Sequence, residues 1–206
     1  MSKPNSYSVH PGVQMMVDWV ATLKAKTGRD LVQWLKFIRV QGPATEKAAR
    51  EWLKTTLKLG SNTAWWLAER AHNVAPRGWD WEPKVYLKQA VAFVDAQYPP
   101  RKAHLRPLYE ALLQLGFAQG KDVKACPCKT MVPLYRNHVF AQIKPTTLTR
   151  IDLGFCLRGV KATSRLKSTG GEKKGDRITH RIEIKQPTDI DAEVKKYLRQ
   201  AYAADG

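Results

Sequence analysis

Residues 125–155 read ACPCKTMVPLYRNHVFAQIKPTTLTRIDLGF, and Cys156 follows at once. Three kinds of chemistry are compatible with these residue types. The first is metal or disulfide chemistry. On a strand, residues i and i+2 face the same way, so Cys126 and Cys128 would present two sulfurs side by side. A zinc ion needs four ligands, for which Cys156, His138 and His180 are the remaining candidates. The spacing is CxC, however, not the CxxC of a zinc knuckle, and no second knuckle follows. Pro127 favours a bend or an edge strand. The three thiols are therefore read as small buried or half-buried side chains, and no metal ligand is assigned.

The second is phosphodiester hydrolysis. Asp152 on one strand and Glu183-Ile184-Lys185 on a later one echo an acid-plus-ExK arrangement, in which two carboxylates hold Mg²⁺ and the lysine supports an attacking water. Glu-x-Lys is common on exposed strands, so a metal-dependent nuclease stands only as a remote alternative. The third is ligand binding. Tyr135, Arg136, His138, Lys144, Arg150 and Asp152 crowd one meander, where Tyr135 and Arg136 would stack on or pair with a base or an anionic small molecule. His180 falls in phase with Ile178, Ile182 and Ile184, which marks a hydrogen-bonded core histidine. No Ser/His/Asp set, P-loop or dinucleotide-binding glycine pattern occurs. The pair Gly170-Gly171 has no helix start after it. No catalytic residue and no cofactor is assigned.

Charge points to a partner class. Lys and Arg number 35 against 18 Asp and Glu, for a net +17 and a pI near 9.9. Residues 101–206 hold 21 basic and 10 acidic residues, a net +11; residues 1–100 hold 14 and 8, a net +6. Such a balance favours polyanions, of which nucleic acid is the commonest in a cytoplasm. The richest stretch is 158–185, where "RGVKATSRLKSTGGEKKGD" offers nothing to bury and reads as a mobile basic loop. Its neighbourhood supplies the expected phosphate contacts: Arg158, Lys161, Arg165, Lys167, Lys173, Lys174, Arg177, Arg181 and Lys185. Flexible cations beside a sheet track phosphates without reading sequence.

Two sets of elements must position these residues. All seven Trp lie before residue 82. In that region Val13/Met16/Val17/Val20, Leu31/Trp34/Leu35/Ile38, Ala49/Trp52/Leu53/Leu57 and Ala64/Leu67/Ala68/Ala71 form four helical stripes. Gly28 suits a left-handed turn, Asp30 the next helix's first turn, Pro43 an early helical position, and Ser61 or Asn62 a cap. The last pair of helices could form a helix-turn-helix showing Asn62, Trp65, Glu69 and Arg70 to solvent. That surface is poor in base-reading groups, so packing or docking of a protein partner is favoured. "NVAPRGWDWEPKVY" reads as a linker pinned by Trp79 and Trp81. Helices at 84–98 and 101–115 follow, and then the period falls to two. Strands are expected near 123–128, 131–136, 138–144, 148–157 and 177–185, with a last helix over 189–203 capped by Thr188.

The fold class expected is α+β: a small helical bundle (1–75), a linker (76–83), and a two-layer sandwich (84–206) of an antiparallel sheet with helices on one face. No run of 18 apolar residues exists, which excludes a membrane-spanning helix. The start lacks a signal-peptide pattern, and three cysteines do not make a secreted disulfide framework, so a reducing cytoplasm is expected.

Distinctive phrases add a resemblance. "KTGRDLVQWLKFIRVQGPATEKAAREWLKTTLKLGSNTAWWLAERA" resembles the helical domain-of-unknown-function family numbered 4287. "LRPLYEALLQLG", "DVKACPCKTMVPLYRNHVFAQIKPTTLTRIDLGFCLRG", "THRIEI" and "DIDAEVKKYLRQAY" resemble the family numbered 5655. The order of the blocks is that of bacterial two-module proteins. The resemblance transfers no activity and no catalytic residue. Fusion of the second module to nuclease-like domains in relatives implies a nucleic-acid setting.

Overall fold

Turn chemistry sets the boundaries of the helices. In this computed structural model, which describes residues 7–73 and 82–206, helix α1 (Pro11–Thr27) stops where Gly28 takes φ +79°. A side chain is strained in that left-handed region and glycine is not. Asp30 caps α2 (Leu31–Gln41), its side chain accepting from the Gln33 amide while the Gln33 side chain accepts from the Asp30 amide. Thr45 caps α3 (Glu46–Thr55), so Pro43 lies in the preceding turn and not in the helix. Helix α4 (Ser61–Ala71) starts after Gly60, which takes the cap position expected of Ser61 or Asn62. The proposed linker lies outside the described residues as far as 81, as do Trp79 and Trp81.

The chain divides into two compact units, Pro11–Tyr86 and Met1–His10 with Leu87–Gly206. The helical unit is built on aromatic side chains. Trp19, Trp34, Ile38, Leu53, Leu67 and Ala68 are buried together. Trp19 meets Trp66 edge-on at 5.1 Å, and Phe37 stacks on Trp52 at 5.7 Å. Buried indoles need partners for their N–H groups, and Thr27 accepts from Trp34 while Thr63 accepts from Trp19. Val13 and Met16 of the expected stripe face the core beside Trp19 and Leu23, while Val17 and Val20 stand exposed. The indole and Leu23 bury more apolar area than two valines, which turns the helix by that difference. On α4, Glu69 and Arg70 are only 3% and 5% exposed, and the Arg70 guanidinium lies 5.0 Å from the Trp19 ring. The solvent-facing Glu69/Arg70 surface expected there does not form.

The second unit has the α+β architecture expected from the sequence. Helix α5 (Pro83–Gln97) breaks at Pro99; a 3-10 segment (Pro100–Leu105) leads into α6 (Arg106–Phe117). Among the described residues, six strands form one antiparallel sheet in the order β1-β2-β3-β4-β6-β5. The strands are β1 (Lys124–Ala125), β2 (Val132–Tyr135), β3 (Val139–Lys144), β4 (Ile151–Phe155), β5 (Lys167–Ser168) and β6 (His180–Ile184). One face carries Leu134, Ala141, Ile143, Ile151, Leu153, Phe155, Ile182 and Ile184 into a core shared with α6 and with α8 (Ala192–Ala203). Full burial of such aliphatic side chains contributes about 1.5–3 kcal/mol each. Gly116 lets α6 approach closely, since a Cβ there would sit 2.6 Å from Leu134 Cδ1. A bulge opposite Tyr135 turns Phe140 inward against Tyr202.

Three local expectations are corrected. Residues 158–179 are built into the fold: they include β5 and the one-turn helix α7 (Gly171–Lys174), and Leu166 is fully buried. Thr163 accepts from the Arg165 and Leu166 amides, and Glu172 accepts from the Gly159 amide. A helical turn does follow Gly170, which caps it at φ +73°. Asp191, not Thr188, caps α8, because Asp189 closes its own 3-10 turn (Pro187–Asp189) by accepting from Lys185 and Gln186.

Candidate functional site

Strand alternation puts the polar residues of β3, β4 and β6 on the face away from the helices. Register places Lys144, Asp152 and Glu183 in one row and Gln142, Gly154, Arg181 and Lys167 in the next. Gly154 lets the second row close over the sheet: a Cβ would lie 2.7 Å from Ile178 Cγ2 and 2.9 Å from Gln142 Cγ.

Both carboxylates are paired with cations. Asp152 Oδ1 is 2.8 Å from Arg150 Nε and 3.0 Å from Arg181 Nη1, while Oδ2 accepts from the Thr146 hydroxyl at 2.8 Å. Glu183 Oε1 meets Lys167 Nζ at 2.8 Å and both Arg150 Nη1 and Arg181 Nη1 at 3.1 Å. The hydrogen bond from Lys167, with the nearby Arg150 charge, holds the Glu183 carboxyl below its ordinary pKa. Asp152 and Glu183 therefore sit together, as an acid-plus-ExK site requires, but as the anionic centre of an Arg-Arg-Lys cluster. Lys185 lies past the strand end, exposed. Among the described residues no group of three His, Cys, Asp or Glu gathers to hold a metal.

The six meander residues separate into different places. Tyr135 donates to or accepts from His10 at 3.1 Å, edge-on to its ring. Burial lowers the His10 pKa to about 4, so that imidazole is neutral at pH 7. Arg136 pairs with Asp122 at 2.9 Å and lies 4.4 Å over the Tyr202 ring. His138 stands on Asp205, whose carboxylate, 3% exposed, also receives the His138 amide at 2.7 Å and Arg177 at 2.6 Å. These contacts clamp the chain's last turn to the β2–β3 connection. Arg150 and Asp152 belong to the ionic cluster. Lys144 has no ion pair among the described residues and lines a cleft of about 300 Å³.

The nine basic residues of the 158–185 stretch divide in the same manner. Arg165 pairs with Asp191 and Glu193, Lys167 with Glu183, Arg181 with Asp152 and Glu183, and Arg177 with Asp205. Arg158, Lys161, Lys173, Lys174 and Lys185 are exposed, with no ion pair among the described residues. The Gly159–Glu172 hydrogen bond of 3.1 Å brings the Arg158 turn against α7, which carries Lys173 and Lys174.

The thiols are not poised for chemistry. All three are free, and burial pushes Cys126 up to about 12 and Cys128 to about 11. Cys126 Sγ reaches the Val9 carbonyl at 3.7 Å. His180 is a core residue 3% exposed, bonded through Nδ1 to Thr179 Oγ1 at 2.9 Å. Sequence reasoning missed Asp205, Asp122 and His10, all far in the chain from the groups they hold; only folding brings them near.

A family model described as a domain of unknown function (DUF5655) matches residues 94–204. No curated protein and no solved structure matches the chain.

Proposed function

We propose that this chain, which belongs to the DUF5655 family, is a non-enzymatic binding protein whose sheet unit contacts nucleic-acid phosphates without reading sequence. The observation that carries the reading is the division of the basic stretch. Four of its cations are paired with carboxylates of the protein itself. Arg158, Lys161, Lys173, Lys174 and Lys185 are left exposed and uncompensated. Cations without internal partners are the ones able to displace counter-ions from a phosphate backbone. A binding role without catalysis is supported by the cation-paired Asp152 and Glu183 and by the Cys126 and Cys128 thiols, which stay protonated at neutral pH.

The phrases of the helical unit support placing it with the family numbered 4287, in a bacterial, cytoplasmic two-module protein. A fluorescence-anisotropy titration of the full chain with a short DNA duplex tests the phosphate reading. Binding in the range of about 10⁻⁴–10⁻⁶ M near physiological salt is expected. The triple variant Arg158→Glu/Lys173→Glu/Lys174→Glu should lose most of it. Absence of binding at low salt, or equal binding by the variant, refutes the proposal.

A further inference from the structure

The cleft beside Lys144 has the chemistry of a second site, separate from the 158–185 surface. It lies where the end of α5, the 3-10 segment after it, the β1–β2 turn and the end of β3 meet. Four cations converge there: Arg101, Lys102, Lys129 and Lys144. None has an ion pair among the described residues, and no carboxylate lines the cleft. Lys102 is fixed in place by donating to the Pro145 carbonyl at 2.7 Å. Lys144 lies opposite Asp152 in register, yet that carboxylate is consumed by Arg150, Arg181 and Thr146. The ionic cluster thus leaves Lys144 for the cleft.

The cleft also contains a buried polar group that lacks a partner. Gln97 is 6% exposed, and its Nε2 donates to the Cys128 carbonyl at 2.8 Å, which fixes which end of the amide is oxygen. Its Oε1 is buried and accepts no hydrogen bond among the described residues. Leaving a buried acceptor unsatisfied is costly, and such groups are regularly completed by a ligand or a water. Gln97 lines the same cleft as four uncompensated cations, and that lining asks for a molecule that brings a concentrated negative charge and, next to it, a hydroxyl or amine donor.

We propose that this cleft binds a small phosphate monoester carrying a hydroxyl group. The phosphate, with close to two negative charges at neutral pH and three acceptor oxygens, sits among Arg101, Lys102, Lys129 and Lys144. The hydroxyl donates to Gln97 Oε1, which a small shift of that side chain opens to the cleft. A volume of about 300 Å³ is at the small end of ligand pockets, which suits a sugar phosphate and not a dinucleotide.

Isothermal titration of the full chain with ribose 5-phosphate, ribose and inorganic phosphate tests this. Ribose 5-phosphate should bind, ribose should give no heat, and inorganic phosphate should bind at least tenfold more weakly than the ester. Lys129→Glu, on an exposed turn where folding is not at stake, and Lys144→Gln should each weaken the ester at least tenfold. Arg158→Glu/Lys173→Glu/Lys174→Glu should leave it unchanged, which separates failure here from failure of the nucleic-acid reading. No heat from the ester, or wild-type affinity in the Lys129 and Lys144 variants, overturns the site. Inorganic phosphate binding as tightly as the ester overturns the role of Gln97. If duplex DNA displaces the ester and its own binding falls with Lys129→Glu, the cleft is part of a nucleic-acid surface and the small-ligand assignment is wrong.

Discussion

At the scale of single residues, partners decide what each charge can do. Glu183 and Asp152 serve structure, because three cations converge on them. Removing one member of such a half-buried set leaves the rest uncompensated, so Asp152→Asn should cost about 3 kcal/mol in chemical denaturation. The pH dependence has two separable parts. Glu183 has a depressed pKa, so its contribution is complete above the ordinary glutamate value and lost as pH falls through the depressed one. His10 is buried neutral, with its pKa lowered from 6.5 to about 4. Unfolding lets it take up a proton, so stability should fall as pH drops from 6.5 towards 4. Denaturation midpoints measured over that window should show the decline in the wild type and a flatter profile in His10→Gln. An unchanged slope in the variant would mean that other groups set it.

At the scale of elements, periodicity locates the helices and strands with one apolar face, although on α1 it misplaces part of that face. The alternation of Ile151, Leu153 and Phe155 with Asp152 and Gly154 identifies β4, and the Leu105/Leu108/Leu112 stripe finds α6 with the turn before it. What was not legible depended on partners distant in sequence. The 158–176 stretch looks like a solvated loop because its only large apolar side chain after Val160 is Leu166, and one leucine makes no period. Its order comes from that leucine entering the core and from β5 pairing with β6. Leu166→Ala should therefore cost about 2–5 kcal/mol, as in any filled core, whereas a true loop residue would cost almost nothing. Guanidinium denaturation distinguishes the two. Gly154→Ala belongs to the same scale: the added methyl meets Ile178 and Gln142, and an overpacking cost of about 1–3 kcal/mol is expected in the same assay. The candidate site was legible in its residue types but not in its groupings. Asp152 and Glu183, which the sequence offers together as an acid-plus-ExK pair, do meet on one face of the sheet. The meander residues were grouped by proximity in sequence, while Asp122, Asp205 and His10 separate them in space.

At the scale of the whole molecule, a net charge of +17 says only that polyanions are attracted; the fold decides which cations remain to meet them. Folding withdraws Arg165, Lys167, Arg177 and Arg181 into internal pairs and leaves Arg158, Lys161, Lys173, Lys174 and Lys185 exposed. The measurement that tests this most directly is the slope of log affinity for duplex DNA against log salt concentration. Five phosphate contacts predict a slope of about −4 to −5, and each charge lost from that set should reduce its magnitude by about one. Lys167→Gln, which removes an internally paired cation, should leave the slope where it was. A flat salt dependence in the wild type, or a slope that responds to Lys167 and ignores Lys173 and Lys174, would contradict the account.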